Sequence, residues 1–168
     1  MSVWTIRRER DGDEGAISQV IGSAFAGHPW SDGDEARIVQ RLRDDLDLEV
    51  SYVAVTPAGG LVGHVAFSRV RIDGGDIGWF GLAPLAVLPE WQKRGIGTAL
   101  VNAGIEDLQR FDAAGCVVLG EPEYYSRFGF AHDPALIYRG ATLPKYFQRL
   151  ILRGEPPRGE VSYPAAFG

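Results

Sequence analysis

Leu82-Ala-Pro-Leu-Ala-Val-Leu-Pro-Glu-Trp-Gln-Lys-Arg-Gly-Ile-Gly-Thr-Ala-Leu-Val101 is the stretch that decides the fold. Residues 82–88 form a short apolar run that reads as a buried strand. Pro89 ends it, because proline cannot donate to a sheet ladder. Residues 92–97 make a basic, glycine-rich turn, and from Ile96 a helical period sets in with Ile96, Leu100, Ala103 and Leu108 on one side. The order is therefore strand, turn, helix. Gly95 and Gly97 lack a Cβ, so a ligand can come close to the backbone there. The first N–H groups of the helix have no acceptor within it and carry the positive end of its dipole. Lys93 and Arg94 add full charges. The occupant that suits this turn is a phosphate or pyrophosphate.

Two familiar phosphate loops fit less well. A Walker loop needs Lys-Ser/Thr at its end, and here Thr98-Ala99 follows Gly97. A dinucleotide fingerprint needs a small residue where Leu100 stands. The glycines by themselves are equally consistent with a tight strand-to-helix turn.

A second segment narrows the choice. Gln92-x-x-Gly95-x-Gly97, preceded by Leu85-x-Val87-x-Pro89, resembles the acetyl-CoA motif of the GNAT N-acetyltransferase superfamily. Tyr125-Ser-Arg-Phe-Gly129-Phe130 resembles the Tyr-x-x-x-Gly-Phe segment of the same family. The likeness covers residues 51–130, and residues 121–130 look most like a bacterial single-domain branch whose acceptors are mostly unassigned. It implies an α/β chain with the GNAT (acyl-CoA N-acyltransferase) fold. That is a mixed, mostly antiparallel sheet of six to seven strands with a splayed parallel pair, flanked by about four helices.

Size and composition agree. At 168 residues and 45% hydrophobic content, residues 1–168 read as a single domain with a real core. A net charge of −5 argues against nucleic-acid binding through bulk electrostatics and weakly favours a cationic acceptor. The basic charge comes from 15 Arg and 2 Lys. One cysteine, Cys116, excludes an internal disulfide and a multi-Cys zinc site, and its run Cys116-Val-Val-Leu119 reads as a buried strand. Three dispersed histidines lack metal-ligand spacing, so no metal is expected. The N-terminal residues lack a signal h-region, and no apolar run approaches the roughly 20 residues of a membrane span. The expectation is a cytoplasmic protein without membrane contact.

Along the chain, the pattern predicts a strand over 3–9, a helix over 14–25 and a second over 33–43, with the loop 28–32 between them. Strands are expected at 50–55, 61–72 and 77–88, forming an antiparallel meander. A helix over 95–112 leads to a strand at 117–119, which a helical return makes parallel to 82–88. Residues 123–128 read as a short helix with Gly129 as a left-handed stop. The strands 146–152 and 160–163 are expected to pair as a closing hairpin on the acceptor side.

The resemblance also implies roles. Backbone N–H groups around Leu85, Ala86 and Val87 would meet the acetyl and pantetheine carbonyls. Those of Gln92, Lys93, Arg94, Gly95, Ile96, Gly97 and Thr98 would hold the pyrophosphate. Tyr125 would contact the cofactor and assist the leaving sulfur; the alternative is a ring packed under the CoA arm. Full proton transfer from a phenol near pKa 10 to a thiolate near 8.5 is uphill by about 2 kcal/mol, so a hydrogen bond is the better role. The implied reaction is direct attack of a primary amine on acetyl-CoA. Glu121 is the first candidate base, or a cap for the short helix. Glu123, His28, His64, His132 and Asp76 are further candidates, His64 reading more simply as a core residue. His28, Trp30 and Trp79 are expected acceptor contacts, within a pocket drawn from 28–32, 77–80 and 153–159. Arg127 suits either a CoA phosphate or a surface carboxylate. A homodimer follows only by analogy with the family. The competing function is a CoA-binding sensor or scaffold without turnover.

Overall fold

The computed structural model describes residues 3–29 and 31–168. Among these residues the ten strands are β1 (Thr5–Arg8), β2 (Leu48–Val55), β3 (Leu61–Arg69), β4 (Arg71–Ile72), β5 (Trp79–Val87), β6 (Gly115–Leu119), β7 (Ala131–His132), β8 (Leu136–Ile137), β9 (Phe147–Ile151) and β10 (Gly159–Ser162). Four α-helices accompany them among the described residues: α1 (Glu14–Phe25), α2 (Glu35–Asp44), α3 (Ile96–Arg110) and the single turn α4 (Pro122–Tyr125). Seven strands follow the order β1-β2-β3-β5-β6-β9-β7, and three short ones form a second sheet in the order β4-β10-β8. The large sheet is mixed. β5 and β6 run parallel, whereas β1–β2, β6–β9 and β7–β9 are antiparallel.

The chain divides into two compact units, Met1–Phe67 with Pro84–Glu106, and Ser68–Ala83 with Asp107–Gly168. In the first, α1 and α2 lay Ile17, Val20, Ile21 and Val39 on Val53, Ala66 and Ala86. The spacing of the four helical residues puts them on one stripe of each helix, and their burial drives the packing. On α3, Ile96 and Leu100 approach β3 at Gly63, where a Cβ would stand 2.9 Å from Ile96 Cγ2. Farther along α3, Gly104 leaves room for the Phe67 ring.

The first unit also holds a polar chain of contacts. Glu9 accepts from Arg43 and from the Ser51 hydroxyl, and Ser51 Oγ stands 2.9 Å from His64 Nε2. His64 is a buried core residue, and burial pushes its imidazole down to about 4.

The second unit packs Val70, Ile72, Trp79, Val117, Leu136, Phe147 and Val161 together. Its parallel ladder runs from Trp79↔Gly115 to Leu82↔Val118 and ends there.

Several expectations need correction. The arm expected over 61–72 breaks at Val70, whose N–H bonds to the Trp79 carbonyl, and the chain passes into the second sheet as β4. The helix expected over 123–128 is α4 followed by a 3₁₀ turn, Ser126–Phe128, stopped by Gly129 at φ +99°. The C-terminal hairpin does not form. β9 pairs with β6 and β7, while β10 pairs with β4 and β8. The reason is Asp73: its N–H donates to the Glu160 carbonyl, and its carboxylate accepts from the Glu160 N–H, both at 2.8 Å. These two bonds draw β10 to the β4 turn instead.

Candidate functional site

In the first unit, β5 ends at Val87 and Pro89–Trp91 makes one 3₁₀ turn. Lys93 and Gly95 then take left-handed backbone at φ +62° and +83°. Glycine adopts that conformation without strain; lysine does not, so the Lys93 geometry costs energy that the surroundings sustain. Successive N–H groups in turns containing left-handed backbone can form a concave arrangement that suits an anion. α3 opens directly behind, with its first intrahelical bond from Ala99 N–H to the Gly95 carbonyl at 3.0 Å. Gln92 folds back to donate to the Val87 carbonyl at 3.3 Å and ties the turn to β5. The Arg94 guanidinium lies 4.7 Å from the Trp91 ring centroid and donates to the Glu90 carbonyl. Gln92, Lys93, Arg94 and Gly95 are exposed, Gly97 and Thr98 half-buried, and Ile96 buried. Leu85 and Val87 are half-buried, whereas Ala86 points into the core. The turn therefore leaves backbone exposed between β5 and α3. Trp4, which sequence reasoning passed over, sits beside it: a Cβ at Gly95 would lie 3.9 Å from its Cζ2.

Also in the first unit, His28 lines a cavity of about 370 Å³ between α1 and α2. Ile21, Phe25 and Ala36 supply apolar walls, and Ser31 and Glu35 a polar edge. The Ser31 hydroxyl donates to Glu35 at 2.6 Å. The other expected contact in this loop, Trp30, lies outside the described residues.

In the second unit, β6 delivers the chain to α4. Gly120 N–H bonds to the Tyr146 carbonyl, and the buried Gln148 side chain donates to the Gly120 carbonyl at 3.0 Å. Gly120 is a seat for the Tyr125 ring: a Cβ there would stand 2.5 Å from Tyr125 Cε2. Phe130 and Tyr124 meet the same ring edge-on at 5.8 and 5.0 Å. The Tyr125 hydroxyl has no hydrogen-bond partner among the described residues. Burial pushes its phenol above the usual tyrosine range, so it stays protonated and able to donate. Glu121 is exposed; its carbonyl accepts from the Tyr124 and Tyr125 N–H groups, while its carboxylate makes no capping bond. Arg127 stacks on Tyr124 at 4.3 Å and donates to its carbonyl.

The remaining candidates find structural places. Trp79, also expected as an acceptor contact, is 1% exposed, with its ring against Gly115. Asp76 pairs with Arg69 and accepts from Gly78 N–H. His132 Nδ1 stands 3.2 Å from the Phe147 carbonyl. Gln148 and Gly120, which sequence reasoning missed, carry only a weak signal: a glycine just past a strand and a glutamine inside an apolar one. Among the described residues, no group of three His, Cys, Asp or Glu stands together for a metal ion. No described helix is long and apolar enough to cross a membrane.

Residues 47–132 match the family model of the acetyltransferase (GNAT) domain. Over 96 residues the chain is 44% identical to the uncharacterized N-acetyltransferase YhbS of Escherichia coli strain K12, a match spanning 57% of this chain and 58% of that protein. The chain thus spans little more than half the length of the curated relatives it matches. A crystal structure of a GNAT family acetyltransferase from Brucella melitensis with acetyl-CoA is 41% identical, covers 98% of both chains and superposes with a TM-score of 0.88. E. coli YhbS in complex with CoA is 33% identical, covers 99% of this chain and 93% of its own, and gives a TM-score of 0.91.

Proposed function

The chain belongs to the GNAT acetyltransferase family, and from that premise we propose that it is a single-domain enzyme moving an acetyl group from acetyl-CoA to the primary amine of an acceptor. The observation that carries the reading is the left-handed turn at Lys93 and Gly95 ahead of α3. It offers backbone N–H groups and basic side chains to a pyrophosphate without needing any further side chain.

In this reading the amine nitrogen attacks the thioester carbonyl directly. A C–N bond forms, the C–S bond breaks, and the amine gives up a proton. Backbone N–H groups at Leu85 or Val87 are assigned to the acetyl and pantetheine carbonyls; Pro84 has none to give. Tyr125 donates a hydrogen bond to the departing sulfur. Its raised pKa keeps the proton on the phenol, so it stabilises the thiolate without becoming charged itself. Glu121, exposed and with its carboxylate uncapped, is assigned the amine proton through water. His28 and the cavity beside it are assigned to the acceptor.

Calorimetry with acetyl-CoA on the wild type and on Gly97→Asp tests the donor site. The carboxylate would sit in the pyrophosphate seat, and binding should be lost. Mass spectrometry of acceptor mixtures then tests turnover, with small amines, polyamines, aminoglycosides and peptides bearing lysine or a free N-terminus as separate arms. A gain of one acetyl group on an acceptor supports the enzyme. Tight acetyl-CoA binding with no product on any arm would favour a sensor.

A further inference from the structure

Tyr163 follows β10 and lays its ring on β5 at Gly81. A Cβ at Gly81 would stand 2.5 Å from Tyr163 Cε2 and 3.2 Å from Cδ2, so the ring occupies the place of the side chain that β5 lacks. Gly81 pairs with Val117, one step before the parallel ladder ends at Leu82↔Val118. Behind the ring stand Tyr138 and Phe167, each with its centroid 5.0 Å away. The ring therefore has little freedom to withdraw. Its hydroxyl, like that of Tyr125, has no hydrogen-bond partner among the described residues. A phenol oxygen in apolar surroundings ordinarily finds one. The two phenols are also near enough to influence each other electrostatically, and both lie within reach of Cys116.

Parallel strands that stop pairing leave an opening whose closed end is the last pair. A linear arm entering from the carboxyl ends of the strands is halted there, and its tip meets whatever covers the last pairs. On the Gly81 face that cover is the Tyr163 ring. We propose that the Tyr163 ring is the end wall of the acyl site and confines the donor to an acetyl group. The inference rests on the acetyl-CoA reading above and adds the acyl-chain preference to it.

The test uses CoA, acetyl-CoA, propionyl-CoA and butyryl-CoA as titrants, with affinities from calorimetry on the wild type, Tyr163→Phe, Tyr163→Leu and Tyr163→Ala. The wild type should prefer acetyl-CoA to butyryl-CoA. Tyr163→Phe keeps the ring and should keep that ratio. Tyr163→Leu and Tyr163→Ala open the wall, and two added methylenes placed in apolar space should shift the ratio toward butyryl-CoA by roughly fifteenfold. If Tyr163→Ala fails to fold, as its circular dichroism melt would reveal, Tyr163→Leu retains apolar contact with Tyr138 and Phe167 and carries the test. A wild type that takes butyryl-CoA as tightly as acetyl-CoA overturns the proposal. So does a ratio that stays fixed in the folded Leu or Ala variant. Failure of CoA and all three acyl-CoAs to bind the wild type would instead overturn the acetyl-CoA reading itself.

Discussion

Arg43 and Glu9 meet through two parallel N–H···O bonds, Nε to Oε2 at 2.9 Å and an Nη to Oε1 at 3.0 Å. The pair joins α2 to the residue that follows β1, and both side chains are mostly shielded from water. A two-pronged bond of this kind fixes orientation as well as distance. Removing one partner strands the other charge in a poorly solvated place. Glu9→Gln should lower unfolding free energy by about 2 kcal/mol, below the range typical of fully buried pairs. Urea denaturation would check it. A double variant, Glu9→Gln with Arg43→Met, should recover part of the loss, because no unpaired charge remains.

The same carboxylate orders a pH response. The Ser51 hydroxyl donates its one hydrogen bond to Glu9, so its oxygen accepts from His64 Nε2. That leaves His64 Nδ1 bare, buried and without a partner. Burial holds the imidazole near 4, against an ordinary value of 6.5. The unfolded chain therefore binds a proton that the folded chain refuses. The stabilising contribution is complete above pH 6.5 and falls as the pH drops toward 4, by about 3 kcal/mol over that window. Urea midpoints between pH 7.5 and 4.5 should show the slope, and His64→Gln should flatten it. A slope unchanged in the variant would assign the effect elsewhere.

Gly104 is a packing residue. It lies in the middle of α3, where alanine would ordinarily favour the helix by about 1 kcal/mol. A Cβ at that position would collide with the Phe67 ring. Gly104→Ala should therefore destabilise the protein by about 1–3 kcal/mol despite the better propensity. Combining it with Phe67→Leu should cost less than the two changes summed, a coupling that a thermal-unfolding double-mutant cycle would measure.

Tyr125 and Gly120 should fail in the same way. Tyr125→Phe removes the hydroxyl that the proposed mechanism assigns to the leaving sulfur and leaves the ring in place. Gly120→Ala keeps the phenol and pushes the ring off its seat. Each should lower turnover by roughly a hundredfold, while acetyl-CoA affinity changes little. Because burial raises the phenol pKa, the wild-type rate should show no tyrosine limb below pH 10. Full turnover by Tyr125→Phe would reduce the residue to a packing role.

The parts of this protein written in short, contiguous patterns were readable. Ile17, Val20 and Ile21 announce α1 by their spacing, and the residues from Leu85 to Gly97 announce the strand, turn and helix. Gly129 marks its own left-handed stop. Features set by distant partners were not readable. The apolar pattern runs on through Val70, and nothing local says that the chain changes sheet there. Residues 160–163 alternate as any edge strand does. Their partner is chosen by Asp73, more than eighty residues earlier, at φ +50°. Trp79 shows the same limit: an aromatic beside a glycine suits a binding wall or a core equally, and its packing against Gly115, more than thirty residues later, is not written locally.

Cys116 lies fully buried in β6, and its surroundings push the thiol well above the usual range. A thiol that is buried and held protonated should react with disulfide reagents and maleimides only slowly while the fold persists. Free CoA should therefore be countable by thiol colorimetry in the presence of folded enzyme, with little background from the protein. A cysteine introduced on the surface could likewise carry a spectroscopic label without first removing the native one. Appearance of one extra thiol equivalent would then serve as a clock for unfolding.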